Sequence, residues 1–248
     1  MLIIAGVAAA LMIPVTLLVR RPPGSAASPG PAQAGPAAPA TAGEMTVAQA
    51  LRSPQFLVLM ATNFFCCATH SGPIIHTVSY AVTCGIPMVA AVSIYSLEGL
   101  SGLAGRLGFG VLGDRFGAKP VLVIGLLVQA FAALGYIAAN GMLSGFYAAG
   151  ALFGFVYAGV MPLYSVIARE NFPMRMMGTI IGGISMGGSL GMATGPIAGG
   201  LIYDATGAYR WLYVGACVMG LGAFLIASTF KPFDKPPAQP VTPATALT

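Results

Sequence analysis

The 248 residues are 57% hydrophobic and only 7% charged, against about 25% charged in soluble domains. Such a composition excludes a water-borne globular domain. The eleven Lys and Arg residues are scattered and form no basic patch of the kind a nucleic-acid partner needs. The formal net charge of +5 therefore reads as basic loops beside lipid headgroups.

A membrane-crossing helix needs about 20 mostly apolar residues. Seven runs qualify, 2–19, 54–80, 87–112, 119–139, 142–167, 177–202 and 210–229, and are numbered segments one to seven. Segment one starts at Met1 without a basic stretch and is followed by Arg20 and Arg21. A signal peptide carries its charge before the apolar run, so segment one reads as a membrane helix. Residues 20–53 are rich in Pro, Ala and Gly and read as a linker. The Pro-rich tail 230–248 reads as disordered. With the linker inside, ten basic residues fall on the inner side and only Arg210 on the outer. This asymmetry makes the linker, the C-terminus and the 113–118 and 168–176 loops cytoplasmic. The expected location is a cell membrane, crossed several times, of the bacterial inner-membrane type.

Within segment two, His70 and His76 flank Gly72-Pro73, a pair expected to kink or break the helix. Segment three holds Glu98 at its middle and Arg106 eight residues on, roughly 12 Å along and about 80° around the helix. Ionisable groups in lipid are costly and mark candidate sites. Arg106 is the candidate for a substrate carboxylate, since guanidinium suits bidentate recognition. Glu98 is the candidate carrier of a coupled proton. His70, Tyr80 and Tyr95 are further candidate substrate contacts, with Asn63, Tyr157, Tyr164 and Ser165 as other polar groups in the apolar runs. Segment six carries Gly183, Gly187, Gly191, Gly195 and Gly199 in one stripe, a surface for close helix packing. Trp211 and Tyr213 fit an interfacial aromatic belt. Cys66, Cys67, Cys84 and Cys217 read as small apolar fillers, with no metal-ligand spacing and no disulfide framework.

Residues 110–118 read Gly-Val-Leu-Gly-Asp-Arg-Phe-Gly-Ala and residues 200–208 read Gly-Leu-Ile-Tyr-Asp-Ala-Thr-Gly-Ala, so G-x-x-x-D-x-x-G-A recurs at an offset of 90. Each copy follows the second helix of a three-helix group, and the copies face opposite sides. This is the pattern of an inverted repeat, a common way to build a secondary transporter. The cytoplasmic copy supplies Gly110, Asp114, Arg115, Gly117 and Lys119 as a candidate latch.

These two stretches, G-F-G-V-L-G-D-R-F-G-A-K-P at 108–120 and G-P-I-A-G-G-L-I-Y-D-A-T-G-A-Y at 195–209, resemble the major facilitator superfamily. Thr46 to Phe56 is similar to the lead into that family's seventh helix. The resemblance implies an all-α membrane protein, a polytopic helical bundle made of the C-terminal six-helix half of the fold plus one preceding helix. The partner is then a missing N-terminal half or a second copy of the chain. Within the family the chain looks most like monocarboxylate and oxalate/formate carriers, through H-T-V-S-Y-A-V-T-C-G-I-P at 76–87 and through Arg106. Ala118 stands where that family has a basic residue, and Gly102 where monocarboxylate carriers have an acid. Segment six has no lysine, so a two-cation clamp for a dicarboxylate is not supported.

The expected function is secondary transport of a small organic anion such as a monocarboxylate, by symport with a proton or ion or by antiport. The alternatives are a non-transporting fragment or scaffold, and a carrier of another solute such as a sugar or drug. No HExxH or phosphate-binding GxxxxGK[ST] pattern appears, so neither a zinc-protease-type enzyme nor a nucleotide-driven pump is indicated. No cofactor or metal is called for.

Overall fold

Ser53 sets the first corner of the structure, a computed structural model that describes residues 45–139 and 141–233. A short helix α1 (Val47–Arg52) is closed by a capping box in which Thr46 and Gln49 each satisfy the other's backbone N–H. It ends at Ser53, whose hydroxyl then accepts from Phe56 N at 3.2 Å and starts the next helix with Pro54 in its first turn. The last part of the expected linker is thus helical. The expected membrane helix at 2–19, the linker up to residue 44 and the tail from 234 lie outside the described residues.

Six long helices follow: α2 (Pro54–Thr83), α3 (Met88–Phe116), α4 (Ala118–Ala138), α5 (Leu143–Asn171), α6 (Met177–Thr206) and α7 (Arg210–Ser228), with a 3-10 turn at Met174–Met176 before α6. All six are long and apolar enough to cross a bilayer. The chain is an all-α, multi-pass membrane protein, and no strand occurs among the described residues. Gly85 closes α2 at φ +87°, with Ile86 N reaching back to Ala81 O and Gly85 N to Val82 O in a Schellman turn.

Several helices outrun their apolar stretches. α3 continues to Phe116, so Asp114 and Arg115 lie in its last turns and Gly117 alone separates it from α4. The expected 113–118 loop is therefore a one-residue corner. Lipid sets the length of an apolar run, but a helix keeps its backbone bonds beyond the hydrocarbon and carries charge there. α2 also differs from expectation: it runs unbroken through Gly72-Pro73. The backbone of α6 lies against this point. A methyl on Gly72 would sit 3.2 Å from Gly195 O, and Ser71 Oγ donates to Gly191 O at 3.3 Å. Neighbouring helices hold the proline turn in place. Phe230 is buried and Phe233 N donates to Asn171 Oδ1 at 3.1 Å, so the stretch after α7 is packed as far as residue 233.

The repeat is visible in the packing. The two largest interfaces are α2 with α6 and α3 with α5. Exchanging α2 with α5, α3 with α6 and α4 with α7 turns one into the other. The same exchange turns the α2–α7 contact into α4–α5 and maps α4–α7 onto itself. Both copies of the motif also end alike: Gly117 (φ +89°) donates to Gly113 O, and Gly207 (φ +66°) donates to Tyr203 O. The glycine stripe of α6 faces α2 throughout, from Gly183 against Phe56 to Gly199 against His76. Backbones approach closely there, and α2 side chains reach α6 carbonyls, as in Asn63 Nδ2 to Ile184 O at 2.9 Å.

Two apolar clusters fill the bundle. One gathers Phe56, Leu122, Leu163, Ile180 and Phe230, and the other Ile94, Tyr136, Phe146, Phe153 and Tyr213. Along α2, α3 and α4 a polar residue sits between them: His70, Glu98 and Gln129, all buried. This layer positions the candidate site.

Candidate functional site

Glu98 is 1% exposed. Its position follows from the face of α3 that carries Ala91, Ile94, Gly102, Gly105 and Phe109, all buried, and packs on α5. Its Oε2 accepts from the Tyr136 hydroxyl of α4 at 3.0 Å, while Oε1 is buried with no hydrogen-bond partner. A carboxyl group with one oxygen held and the other unsatisfied is an expensive arrangement to keep in a core.

His70 lies on α2 in the same layer. Its Nδ1 is 3.3 Å from Gln129 Nε2, which also donates to Cys66 O at 3.1 Å. The Cys66 thiol donates to Gln129 Oε1 at 3.5 Å. The imidazole stacks on the Tyr157 ring of α5, centroids 5.0 Å apart. Tyr157 lies within electrostatic reach of Glu98, Tyr95 and Arg106.

Tyr95 and Arg106 are exposed in this chain. Eleven residues separate them, about 20° around α3, so they share one open face next to the buried Glu98 face. Tyr80 stands apart. It is half-buried at the far end of α2, against Phe146, Tyr209 and Tyr213, and it lines a cavity of about 440 Å³ with Cys84, Tyr203, Tyr209 and Arg210. The motif residues form a third group at the opposite end: Asp114, Arg115 and Gly117 are exposed, Gly110 and Lys119 half-buried. Arg115 lies 5.4 Å from the centre of the Phe116 ring. His76 Nε2 is 3.3 Å from Pro196 O and ties α2 to α6.

Two residues of the polar layer, Gln129 and Tyr136, carry no role in the sequence reading. Gln129 is the only amide in the apolar run of α4, and Tyr136 follows seven residues later on nearly the same face; that pair was a usable signal. Tyr213 is a correction: it is fully buried beside Tyr136, not in an interfacial belt, whereas Trp211 is 52% exposed. The ring packs inward because α7 turns that face toward α2 and α4. An apolar groove of about 690 Å³ lined by Phe109, Phe116, Ile124 and Leu152 contains none of the candidate residues. The four cysteines are free thiols. Among the described residues no three His, Cys, Asp or Glu side chains come together.

The family model described as Major Facilitator Superfamily matches residues 99–247, more than half of the chain. The MFS transporter asaE of Aspergillus flavus is 26% identical over 219 residues, covering 86% of this chain and 46% of that protein. An uncharacterized MFS-type transporter of Mycobacterium tuberculosis, Rv1250, is 35% identical over 124 residues, 47% of this chain and 21% of that protein. Among solved structures, the in meso crystal structure of the POT family transporter PepTSo superposes with a TM-score of 0.63 at 16% identity, over 74% of this chain and 40% of that one. The chain thus spans at most about half the length of the relatives it matches.

Proposed function

The chain belongs to the major facilitator superfamily, and on that premise we propose that it is one half of a secondary transporter for a small organic anion, coupled to a proton. Arg106 binds the substrate carboxylate, with Tyr95, Tyr157 and His70 around it. Glu98 carries the proton. The observation that supports this reading is the buried, half-satisfied Glu98 carboxyl group, with an arginine on an open face of the same helix and Tyr157 within electrostatic reach of both. A binding protonatable acid and an anion site that share one tyrosine can be occupied together, which is what coupling requires.

The open Tyr95–Arg106 face needs a second wall. In this reading a further half, or a second copy of the chain, supplies it, since such sites lie between repeats near the membrane midplane. The Asp114–Lys119 corner lies on the cytoplasmic side, following the ten-to-one distribution of basic residues. It acts as a latch between halves.

Uptake of radiolabelled lactate into cells expressing the protein tests the assignment. Arg106→Ala is expected to lose about 1.5–3 kcal/mol of charge-assisted binding, which appears as a rise in KM of roughly 10- to 100-fold. Glu98→Gln is expected to abolish acceleration by an inward proton gradient while exchange at equal pH survives. Wild-type behaviour of both variants rejects both roles.

A further inference from the structure

Tyr80 is the one expected contact that the site around Glu98 and Arg106 leaves unused. It stands one turn before Cys84 at the far end of α2. The cavity of about 440 Å³ that it lines is shared with Tyr203 from the last turn of α6 and with Tyr209 and Arg210 at the start of α7. That volume falls in the range of small-molecule sites, roughly 300–1,000 Å³. The walls are aromatic. The Tyr203 and Tyr209 rings stack at 4.2 Å between centroids, Tyr80 meets Tyr209 edge-on at 6.1 Å, and His76 packs on Tyr209 at 5.4 Å. Gly207, at φ +66°, makes the turn that brings Tyr203 and Tyr209 together. Arg210 is exposed and lies within electrostatic reach of Tyr80. No carboxylate pairs with it among the described residues. It also opens α7, where a cation adds to the positive helix end rather than offsetting it. Among the described residues the lining comes from the ends of α2, α4, α6 and α7, so this chain walls the cavity by itself, unlike the open Tyr95–Arg106 face.

We propose that this cavity is a second anion site, which takes an organic carboxylate with a flat, aromatic body. The carboxylate pairs with the Arg210 guanidinium, whose fork matches two carboxylate oxygens, and the Tyr80 hydroxyl donates to it. The body packs against the Tyr80 and Tyr209 rings, in the offset or edge-on contacts that aromatic groups prefer. Charge decides between ligand classes. Aromatic rings alone would also suit an ammonium ion, but the guanidinium repels one. A small inorganic anion would pair with Arg210 and leave the aromatic walls uncovered. The basic residues put the Asp114 corner inside, so the cavity faces out, at the opposite end of the bundle. The site stands apart from Arg106 and does not rest on the roles given to Arg106 and Glu98.

Cys84 lines the same cavity and is half-buried, whereas Cys66, Cys67 and Cys217 are buried. Its alkylation therefore reports whether the cavity is filled. The full chain in liposomes is treated with N-ethylmaleimide over a series of benzoate concentrations, and the labelled peptide is identified, with Cys84→Ser as the blank. Benzoate should slow the labelling, and Arg210→Gln should raise the half-protecting concentration about tenfold. Acetate has the charge without the ring and benzyl alcohol the ring without the charge, so each should protect only at higher concentration than benzoate. Equilibrium dialysis of radiolabelled benzoate, compared between wild type and Arg210→Gln, gives the affinity without the thiol. Absence of both protection and binding overturns the site. Equal midpoints in wild type and Arg210→Gln, or benzyl alcohol as potent as benzoate, overturn the pairing with Arg210. Acetate as potent as benzoate overturns the role of the aromatic walls. Protection that survives Arg210→Gln and is lost in Arg106→Ala places the anion at the Arg106 face and overturns the cavity site.

Discussion

Replacing Gly105 by alanine tests whether the α3–α5 contact is as close as its packing requires. A Cβ at this position would press on the Phe155 carbonyl oxygen and lie 2.7 Å from the carbonyl carbon and 2.9 Å from Cα. These are backbone atoms, so no rotamer change relieves the clash, and ordinary contact demands that the helices separate by about 1 Å. Overpacking of this kind costs typically about 1–3 kcal/mol. At about 2–4 °C per kcal/mol for a chain of this size, the thermal midpoint in detergent should fall by roughly 2–12 °C. Gly99→Ala is the control. It lies on the same helix with nothing within 4 Å of its added methyl, and alanine is the better helix former, so its midpoint should hold or rise. The repeat adds a second arm: Gly195, 90 residues on, meets Ser71 Oγ and Gly72 N in the same way and should respond like Gly105. A Gly105→Ala protein as stable as the wild type would refute the close approach, and with it the claim that glycine is needed there for packing.

Gln129→Leu removes the amide that pairs with Cys66 O and His70 Nδ1. The stranded partners should lower stability by about 1–3 kcal/mol, read as a reduced unfolding midpoint; an unchanged midpoint means the polar layer contributes nothing to the fold. The inverted arrangement predicts that single cysteines replacing Arg115 and Ala208, in a Cys84→Ser background, react with a membrane-impermeant maleimide from opposite sides. Labelling of both from the same side contradicts it.

Much of the fold is written in composition. The six described spans follow from apolar runs because lipid imposes a minimum length on any helix that crosses it. The repeat follows from a motif whose glycines need positive φ, and Gly117 and Gly207 adopt it. The direction in which each helix faces is far less legible. In water a buried stripe differs from its polar surroundings, but a lipid-facing surface is as apolar as the core. Val89, Leu100 and Leu107 are exposed while Ile94 and Phe109 on the same helix are buried, and nothing in their hydrophobicity separates them. Tyr213 packs inward although its sequence position fits an interfacial belt, for the same reason. Glu98, Arg106 and His70 stood out because charge and imidazole are rare in lipid. Their second layer, Gln129 and Tyr136, is ordinary enough in composition to pass unnoticed.

The repeat also shows where the two arms diverge. α3 and α6 share one register, since Asp114 and Asp204, Gly117 and Gly207, and Gly105 and Gly195 all correspond at an offset of 90. In that register Glu98 corresponds to Gly188, Tyr95 to Ser185 and Arg106 to Pro196. A methyl at Gly188 would lie 2.5 Å from Asn63 Nδ2, and Pro196 O is engaged by His76. α6 therefore uses for contact with α2 the positions that α3 uses for an acid and a guanidinium. The two-fold scaffold thus carries Glu98 and Arg106 in α3 where α6 carries Gly188 and Pro196. That asymmetry follows from which residues each arm carries rather than from the fold they share.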